Sequence, residues 1–106
     1  MNIKQAQVWW VNLDPTIGSE IRKTRPAVIV SPDELNAHLR TVVVVPLTSS
    51  RAYPFRIKTR IQGKDGVAAV DQVRTIDKAR LVEKISTIKS GTMKLILDAL
   101  IDMFSY

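Results

Sequence analysis

Positive charge gathers immediately before a segment that has the composition of a buried strand. Arg22, Lys23 and Arg25 lie close together in the stretch GSEIRKTRPAVIV, which covers residues 18–30. Arg25 precedes a proline, so its backbone is restricted to an extended conformation. A guanidinium group keeps its charge at physiological pH and matches the geometry of phosphate oxygens. The cluster is therefore either a solvated basic loop or a phosphate site, with Arg25 as the candidate ligand.

Two further groups of polar residues could do chemistry. The stretch PLTSS places the hydroxyls of Thr48, Ser49 and Ser50 in a row after a predicted strand. They either bind a phosphate or make local side chain to backbone hydrogen bonds. The stretch VDQVRT, residues 70–75, carries an acid, an amide and a base. Such side chains pair with the edges of nucleobases, and they are equally common on a solvated strand.

Other kinds of chemistry lack the residues that they need. The chain has no cysteine and one histidine, His38, so neither a zinc site nor a paired-histidine mechanism is predicted. The ten acidic residues are scattered and do not indicate a two-metal site. We therefore predict no metal and no cofactor.

The charge of the whole chain favours a polyanionic partner. The formal net charge is +6, and residues 51–80 hold eight basic against three acidic residues. Such clustering is typical of nucleic-acid binding, although a solubilising surface has the same composition. At 106 residues, without a long apolar run or a signal-like start, the sequence predicts one domain over residues 1–106, with no membrane contact and a cytoplasmic location.

The elements that would position these residues are short and mostly extended. The pattern predicts strands over residues 7–14, 25–31, 41–47, 55–61 and 67–76, with a further short strand within 77–87. The stretch QGKDG, residues 62–66, predicts a hairpin turn, with Asp65-Gly66 supplying the positive φ angles. A helical turn over 31–39 begins with Ser31 as its N-cap. These elements indicate a small, curved, mainly β barrel.

Periodicity assigns faces to two of these elements. In FRIKTRI, residues 55–61, Phe55 shares the inner face with the isoleucines, and the outer face carries Arg56, Lys58 and Arg60. A last helix over 91–104, with Ser90 as N-cap, presents an apolar stripe of Met93, Ile96, Leu97, Leu100 and Phe104. Trp9 and Trp10 point to opposite faces of their strand, so one belongs to the core.

Taken together, these segments resemble the MazF/PemK-type toxins. The strand ending in DPTIGSE, the RPA and PLT tripeptides and the DQ pair occur in the order typical of that family. The similarity extends from about residue 8 to residue 81, and a helix of the expected kind follows. Each motif alone is weak evidence for the family, but their combination in this order is specific to it.

The resemblance implies an SH3-like barrel of short, mostly antiparallel strands with a C-terminal helix, forming a homodimer. It implies a toxin that arrests growth as a sequence-specific, metal-independent endoribonuclease on single-stranded mRNA, restrained by a cognate acidic antitoxin. The family's catalytic arginine and threonine correspond to Arg25 and Thr48. The implied RNA contacts, with those taken from the polar clusters and the basic strand, are Ser19, Glu20, Lys23, Ser49, Arg56, Lys58, Asp71, Gln72 and Arg74.

One position departs from the family pattern. Some members carry an arginine two residues before the aspartate of the DQ pair, as general acid, and here that position is Ala69. Arg74 is a candidate to supply the positive charge that this arginine would carry. The residue that acts as general base is not assigned. In the implied reaction the ribose 2′-hydroxyl attacks the adjacent phosphorus, leaving a 2′,3′-cyclic phosphate and a 5′-hydroxyl. Two alternatives remain: a CcdB-like gyrase poison and a non-catalytic RNA-binding barrel.

Overall fold

A computed structural model describes residues 2–49 and 53–105. Its elements are β1 (Gln7–Asn12), β2 (Thr24–Ile29), α1 (Asp33–His38), β3 (Thr41–Thr48), β4 (Ile57–Ile61), β5 (Lys64–Ala68), β6 (Arg74–Asp77), β7 (Leu81–Thr87) and α2 (Ser90–Met103). Single 3-10 turns, Val70–Gln72 and Lys78–Arg80, precede and follow β6. Ser50 and Arg51 of the sequence analysis lie outside the described residues.

Strand β3 organises the sheet because it has three partners. The strand order is β4-β5-β3-β2-β1-β7, and β6 also pairs with β3. The first half of β3 pairs with β6, whereas Leu47 and Thr48 pair with β5. Every pairing between the described strands is antiparallel. The predicted mainly β barrel with a C-terminal helix is confirmed.

Apolar side chains fill both faces of this sheet, as a long β-branched strand such as β3 predicts. One cluster holds Trp9, Val11, Leu13, Ala27, Ile29, Val42, Val44, Ile76 and Leu81. The other packs α2 onto the sheet and includes Val8, Val28, Val45, Leu47, Val70, Met93 and Ile96. Neighbouring residues of one strand enter different clusters because successive side chains point to opposite faces. As predicted, one tryptophan, Trp9, is core, whereas Trp10 is 39% exposed.

The predicted strand over residues 67–76 was wrong, because the chain turns in its middle. Strand β5 ends at Ala68, the turn Val70–Gln72 follows, and β6 begins at Arg74. The Ala69 amide donates to the Pro46 carbonyl at 2.9 Å, next to the point where β3 changes partner from β6 to β5. The chain must cross from one half of β3 to the other there, so a continuous strand is impossible. Asp71 and Gln72 therefore lie on a turn.

The hairpin turn lies within the predicted stretch of residues 62–66, but its positive φ angles are not those of Asp65 and Gly66. Gln62 and Gly63 have φ angles of 51° and 79°, and Ile61 faces Lys64 across this two-residue loop. Such loops require positive φ at both positions. Gly66 belongs to β5 instead, where a Cβ atom would lie 3.0 Å from the Thr48 carbonyl oxygen. The glycine is needed for close approach of two strands rather than for the turn.

Both predicted N-caps were also wrong. Helix α1 has Pro32 as its N-cap, and Ser31 is buried, donating to Asn36 Oδ1 and accepting from the Val43 amide. Helix α2 begins at Ser90 itself, with Lys89 as N-cap. His38, whose Nδ1 lies 2.8 Å from the Glu34 carbonyl oxygen, is exposed as expected.

Two aromatic residues assigned to inner faces are exposed. Phe104 lies past the end of α2 and is 74% exposed, because the helix has left the sheet there. Phe55 precedes β4, is 52% exposed and stacks on Tyr53 with 5.3 Å between ring centroids. The rest of the α2 stripe is confirmed: Met93 and Ile96 are buried, and Leu97 and Leu100 pack against them. No described helix is long and apolar enough to cross a membrane.

Candidate functional site

A cleft of about 430 Å³ opens beside the loop that joins β1 to β2. We call residues 13–23 the β1–β2 loop. The lining of the cleft includes five residues predicted to contact RNA: Ser19, Glu20, Asp71, Gln72 and Arg74. The remaining lining residues are Ile17, Ile21, Pro46 and Val73. The structure thus brings the loop and the DQ pair, distant in sequence, to one place.

Arg25 and Thr48 lie at the same end of neighbouring strands. Strands β2 and β3 pair with Ala27 opposite Pro46, and continuing this register by two residues sets Arg25 level with Thr48. Arg25 is partly buried, and its Nε donates to the Arg22 carbonyl at 3.2 Å. Thr48 is 8% exposed and faces Val67 of β5. The two residues with predicted catalytic roles therefore lie at the same end of the sheet.

Charged side chains shape the β1–β2 loop from within. The Asp14 carboxylate accepts from the Lys23 amide at 3.1 Å, and Lys23 has a φ of 69°. The Glu20 carboxylate accepts from the Ile17 amide at 2.6 Å. The Leu13 amide donates to the Lys23 carbonyl, which closes the base of the loop. The Lys23 residue itself is exposed, as are Ser19 and Ser49.

Three side chains from residues 72–80 hold this loop from outside. Gln72 Oε1 accepts from the Ile21 amide at 2.7 Å, and Gln72 Nε2 donates to the Ser19 carbonyl at 3.3 Å. Arg74 Nη1 donates to the Leu13 carbonyl at 3.1 Å. Arg80 Nη1 donates to the carbonyls of Asn12 and Asp14. The loop is fixed along both limbs by one segment of the chain.

Asp71 and Arg56 form a bidentate ion pair at the floor of the site. Arg56 Nε and Nη2 donate to the two oxygens of Asp71 at 3.0 and 2.9 Å. The hydrogen bond from Arg56 lowers the pKa of the Asp71 carboxyl, and the same bond raises the pKa of the guanidinium. Arg56 keeps only 9% of its side chain exposed. It is thus not part of an open basic face with Lys58 and Arg60, which differs from the sequence prediction.

An aromatic pair next to this ion pair escaped the sequence analysis. The rings of Tyr53 and Phe55 lie nearly parallel, with 6° between their planes, and the Arg56 guanidinium lies 5.0 Å from the centre of the Tyr53 ring. The signal was the spacing Y-x-F-R, which puts two aromatic residues beside a fixed cation. Nucleobases stack on exposed rings of this kind.

The described residues offer no group of three or more His, Asp or Glu side chains that could hold a metal ion. The cleft presents an arginine, a hydroxyl, a side-chain amide and two carboxylates, which are groups suited to hydrogen bonding with a phosphodiester and its bases.

Comparison with known proteins identifies the family. Residues 4–104 match the family described as PemK-like, MazF-like toxin of type II toxin-antitoxin system. The chain belongs to this family. The resemblance seen in the sequence motifs is confirmed, and it extends over nearly the whole chain.

Individual PemK/MazF-like relatives differ in how much of them the chain covers. It is 46% identical over 68 residues to the endoribonuclease toxin MazF of Escherichia coli K12, which is 63% of this chain and 61% of that protein. It is 33% identical over 110 residues to the endoribonuclease MazF9 of Mycobacterium tuberculosis, with 92% of each covered. The crystal structure of MazF from Deinococcus radiodurans has the same fold, with a TM-score of 0.87, 24% identity and coverage of 97% and 96%.

Proposed function

We propose that this protein is a toxin that cleaves single-stranded RNA, mRNA in the cell, at specific sequences. Family membership and relatives named as endoribonucleases support the proposal. The observation that carries it is the register of β2 and β3, which sets Arg25 level with Thr48, two residues along β3 from Pro46 of the cleft lining. A phosphate at that end of the sheet would meet an arginine fork and a hydroxyl together.

The proposed reaction needs no metal ion, because the RNA supplies its own nucleophile. The ribose 2′-oxygen bonds to the adjacent phosphorus, the bond from phosphorus to the 5′-oxygen breaks, and a 2′,3′-cyclic phosphate and a 5′-hydroxyl result. One proton leaves the 2′-hydroxyl and one reaches the 5′-oxygen. Arg25 stabilises the negative charge of the phosphorane, and Thr48 orients a phosphate oxygen, so the rate gain comes from positioning and electrostatics.

The remaining site residues have proposed roles according to where they lie. Ser19, Glu20 and Lys23 would contact RNA from the β1–β2 loop, and Ser49 from the end of β3. Lys58 is exposed on β4 and would contact phosphate. Asp71, Gln72 and Arg74 line the cleft, and Arg56 fixes Asp71 there. We propose that the members of this group other than Gln72 and Arg56 bind the nucleotides flanking the scissile phosphate, whereas the Gln72 amide bonds the loop backbone and Arg56 bonds Asp71.

The proposed partners are a second copy of this chain and an acidic antitoxin in the cytoplasm. A structural relative was solved as an endoribonuclease in complex with its cognate antitoxin from a mycobacterial species. A net charge of +6 favours an acidic segment that competes with RNA for the cleft. The exposed apolar residues Leu95, Ile101 and Met103 of α2 are typical of a subunit interface.

Incubation of a long single-stranded RNA with the protein in EDTA tests the proposal. Discrete fragments with cyclic phosphate ends, absent with Arg25→Ala, would support the metal-free nuclease. Cleavage only after magnesium is restored would contradict the mechanism. Intact RNA in a shifted band would support the non-catalytic RNA-binding barrel. RNA that is neither cleaved nor shifted would leave the CcdB-like gyrase poison as the remaining alternative.

A further inference from the structure

Gln72 makes a paired contact with the loop that a base-reading residue would not need. Its side-chain amide accepts from the Ile21 amide at 2.7 Å and donates to the Ser19 carbonyl at 3.3 Å. The Gln72 side chain thus makes one donor and one acceptor hydrogen bond with the loop backbone, as the backbone of a neighbouring β-strand does. Both functional groups of the side chain are engaged by protein backbone in this arrangement.

The turn that carries Gln72 is itself well fixed. The Gln72 amide donates to the Ala69 carbonyl at 2.9 Å, and the Val73 amide donates to the Val70 carbonyl at 3.2 Å. Val70 is buried in the cluster under α2. The neighbouring Asp71 is held by both Nε and Nη2 of Arg56. The turn Val70–Gln72 is therefore fixed to the core through Val70 and to Arg56 through Asp71.

The contact continues from the loop to Arg25. Ile21 directly precedes Arg22, and the Arg22 carbonyl accepts from Arg25 Nε at 3.2 Å. The position of that carbonyl depends on where the loop is held, and Gln72 holds the preceding amide. Two hydrogen bonds and the backbone of Ile21 and Arg22 thus connect the side-chain amide of Gln72 with the guanidinium of Arg25. The bond at Nε orients the plane of the fork and involves neither Nη1 nor Nη2.

The other contacts to the loop do not replace Gln72. Arg74 and Arg80 reach only the first limb, at the carbonyls of residues 12–14. Among the described residues, Gln72 is the one whose side chain bonds the second limb from outside the loop.

We propose that Gln72 is a positioning residue, which holds the second limb of the β1–β2 loop so that Arg25 presents its fork to the phosphate. The kinetic part of this inference rests on the proposed function, whereas the structural part does not. The competing interpretation is that Gln72 reads a base. The two differ in what removal of the amide changes: a positioning residue affects every substrate equally, and a base-reading residue changes the preferred cleavage sequence.

The structural test is amide hydrogen exchange in Gln72→Ala and Gln72→Glu, followed by NMR. Gln72→Ala removes the acceptor for the Ile21 amide, so exchange there should accelerate roughly fivefold to tenfold. Gln72→Glu keeps that acceptor and should preserve most of the protection. The Val30 amide, bonded to the Val43 carbonyl at 2.9 Å, is the internal control and should not change in either variant. The Arg25 Nε–H resonance should shift in Gln72→Ala.

The kinetic test uses the same variants on one long RNA. Gln72→Ala should slow cleavage by a similar factor, roughly tenfold, at every site without changing which sites are cut. New or lost sites, or unchanged exchange at Ile21, would overturn the proposal. If no variant and no wild-type protein cleaves RNA, the proposed function fails while the exchange result still decides whether Gln72 holds the loop.

Discussion

Arg25 can be replaced without disturbing the core, which makes it the sharpest residue-level test of the chemistry. It lies at the start of β2 and belongs to neither apolar cluster. Arg25→Ala should lower kcat/KM by roughly 10²–10³-fold, the usual effect of removing one group that stabilises transition-state charge. Arg25→Lys should also be strongly impaired, because a point charge cannot make a bidentate contact.

Single-turnover cleavage of a defined RNA measures this effect, with thermal unfolding as the control for folding. Both Arg25 variants should unfold at the wild-type temperature. A lysine variant with near wild-type rates would show that Arg25 contributes charge alone and not the geometry of its fork.

The Arg56–Asp71 pair makes a second residue-level prediction, about stability and pH. The pKa of Asp71 is lowered in the folded state, so the pair stabilises the fold above the ordinary carboxyl pKa of about 4. That contribution is lost as pH falls through the lower folded-state pKa. It should be small, since the Asp71 side chain is 35% exposed and solvent screens the pair.

A double-mutant cycle with Arg56→Met and Asp71→Asn, measured by urea unfolding, isolates the interaction. The coupling energy should be constant between about pH 5 and 8 and should shrink below about pH 4. In Arg56→Met alone, the pKa of Asp71 should return towards its ordinary value, which NMR titration of the carboxyl carbon would report. A coupling energy that does not depend on pH would contradict the assigned cause.

At the scale of elements, the basic residues in and before strand β4 differ in whether their charge is free to contact RNA. Lys58 is exposed on the strand, whereas Arg56 precedes it and is bound to Asp71. Lys58→Met should reduce the salt dependence of RNA binding by about one unit of the log–log slope, equally for all sequences. Fluorescence anisotropy over a range of salt concentrations measures it.

Lys4→Met provides the matched control, because Lys4 is exposed near β1, 4.0 Å from the Asp33 carboxylate, and does not line the cleft. It should leave the slope unchanged. If Lys58→Met instead changes which sequence is bound best, Lys58 contacts a base.

Sequence patterns predicted the elements whose signal lies within one segment. The alternation over residues 57–61 of FRIKTRI and the i, i+3, i+4 spacing of Met93, Ile96 and Leu97 both gave the right structure, because each pattern follows from local geometry. Phe55 and Arg56 were assigned wrongly because they precede the strand. The strand over residues 67–76 failed because its interruption depends on β3 changing partners at Pro46, which no local pattern records. The positive φ angles of the hairpin were assigned to Gly66 instead of Gly63, because only the tertiary contact of Gly66 with Thr48 decides between the two glycines.

The sequence predicted which residues line the candidate site better than it predicted the hydrogen bonds that they make. The motifs that carry the family resemblance identified Ser19, Glu20, Asp71 and Gln72, which line one cleft in the structure. What the motifs could not supply is that Gln72 bonds the loop backbone and that Asp71 bonds Arg56. Both contacts join residues far apart in sequence, so they depend on the complete fold.

At the scale of the whole molecule, the exposed apolar residues of α2 predict a symmetric dimer. Leu95, Ile101 and Met103 are 55%, 64% and 41% exposed, more than a solvated helix needs. Sedimentation equilibrium should find a dimer at micromolar concentration, and Ile101→Asp should shift it towards monomer. Leu35→Asp, at an exposed apolar position on α1, should leave the dimer intact. A wild-type monomer would contradict the arrangement.

The pairing of β1 with β7 has a consequence for the biosynthesis of the protein. Gln7 lies opposite Thr87, so β1 pairs with a strand that is synthesised about 80 residues later. Until residues 81–87 are synthesised, β1 lacks one of its two neighbours, and Leu81 is missing from the cluster that contains Trp9. Contacts between such distant segments form late. A nascent chain without residues 80–87 would therefore lack the strand that pairs with β1, and it would lack Arg80, which bonds the carbonyls of Asn12 and Asp14 at the start of the β1–β2 loop. The loop beside the cleft would reach its final position only after those residues join the fold.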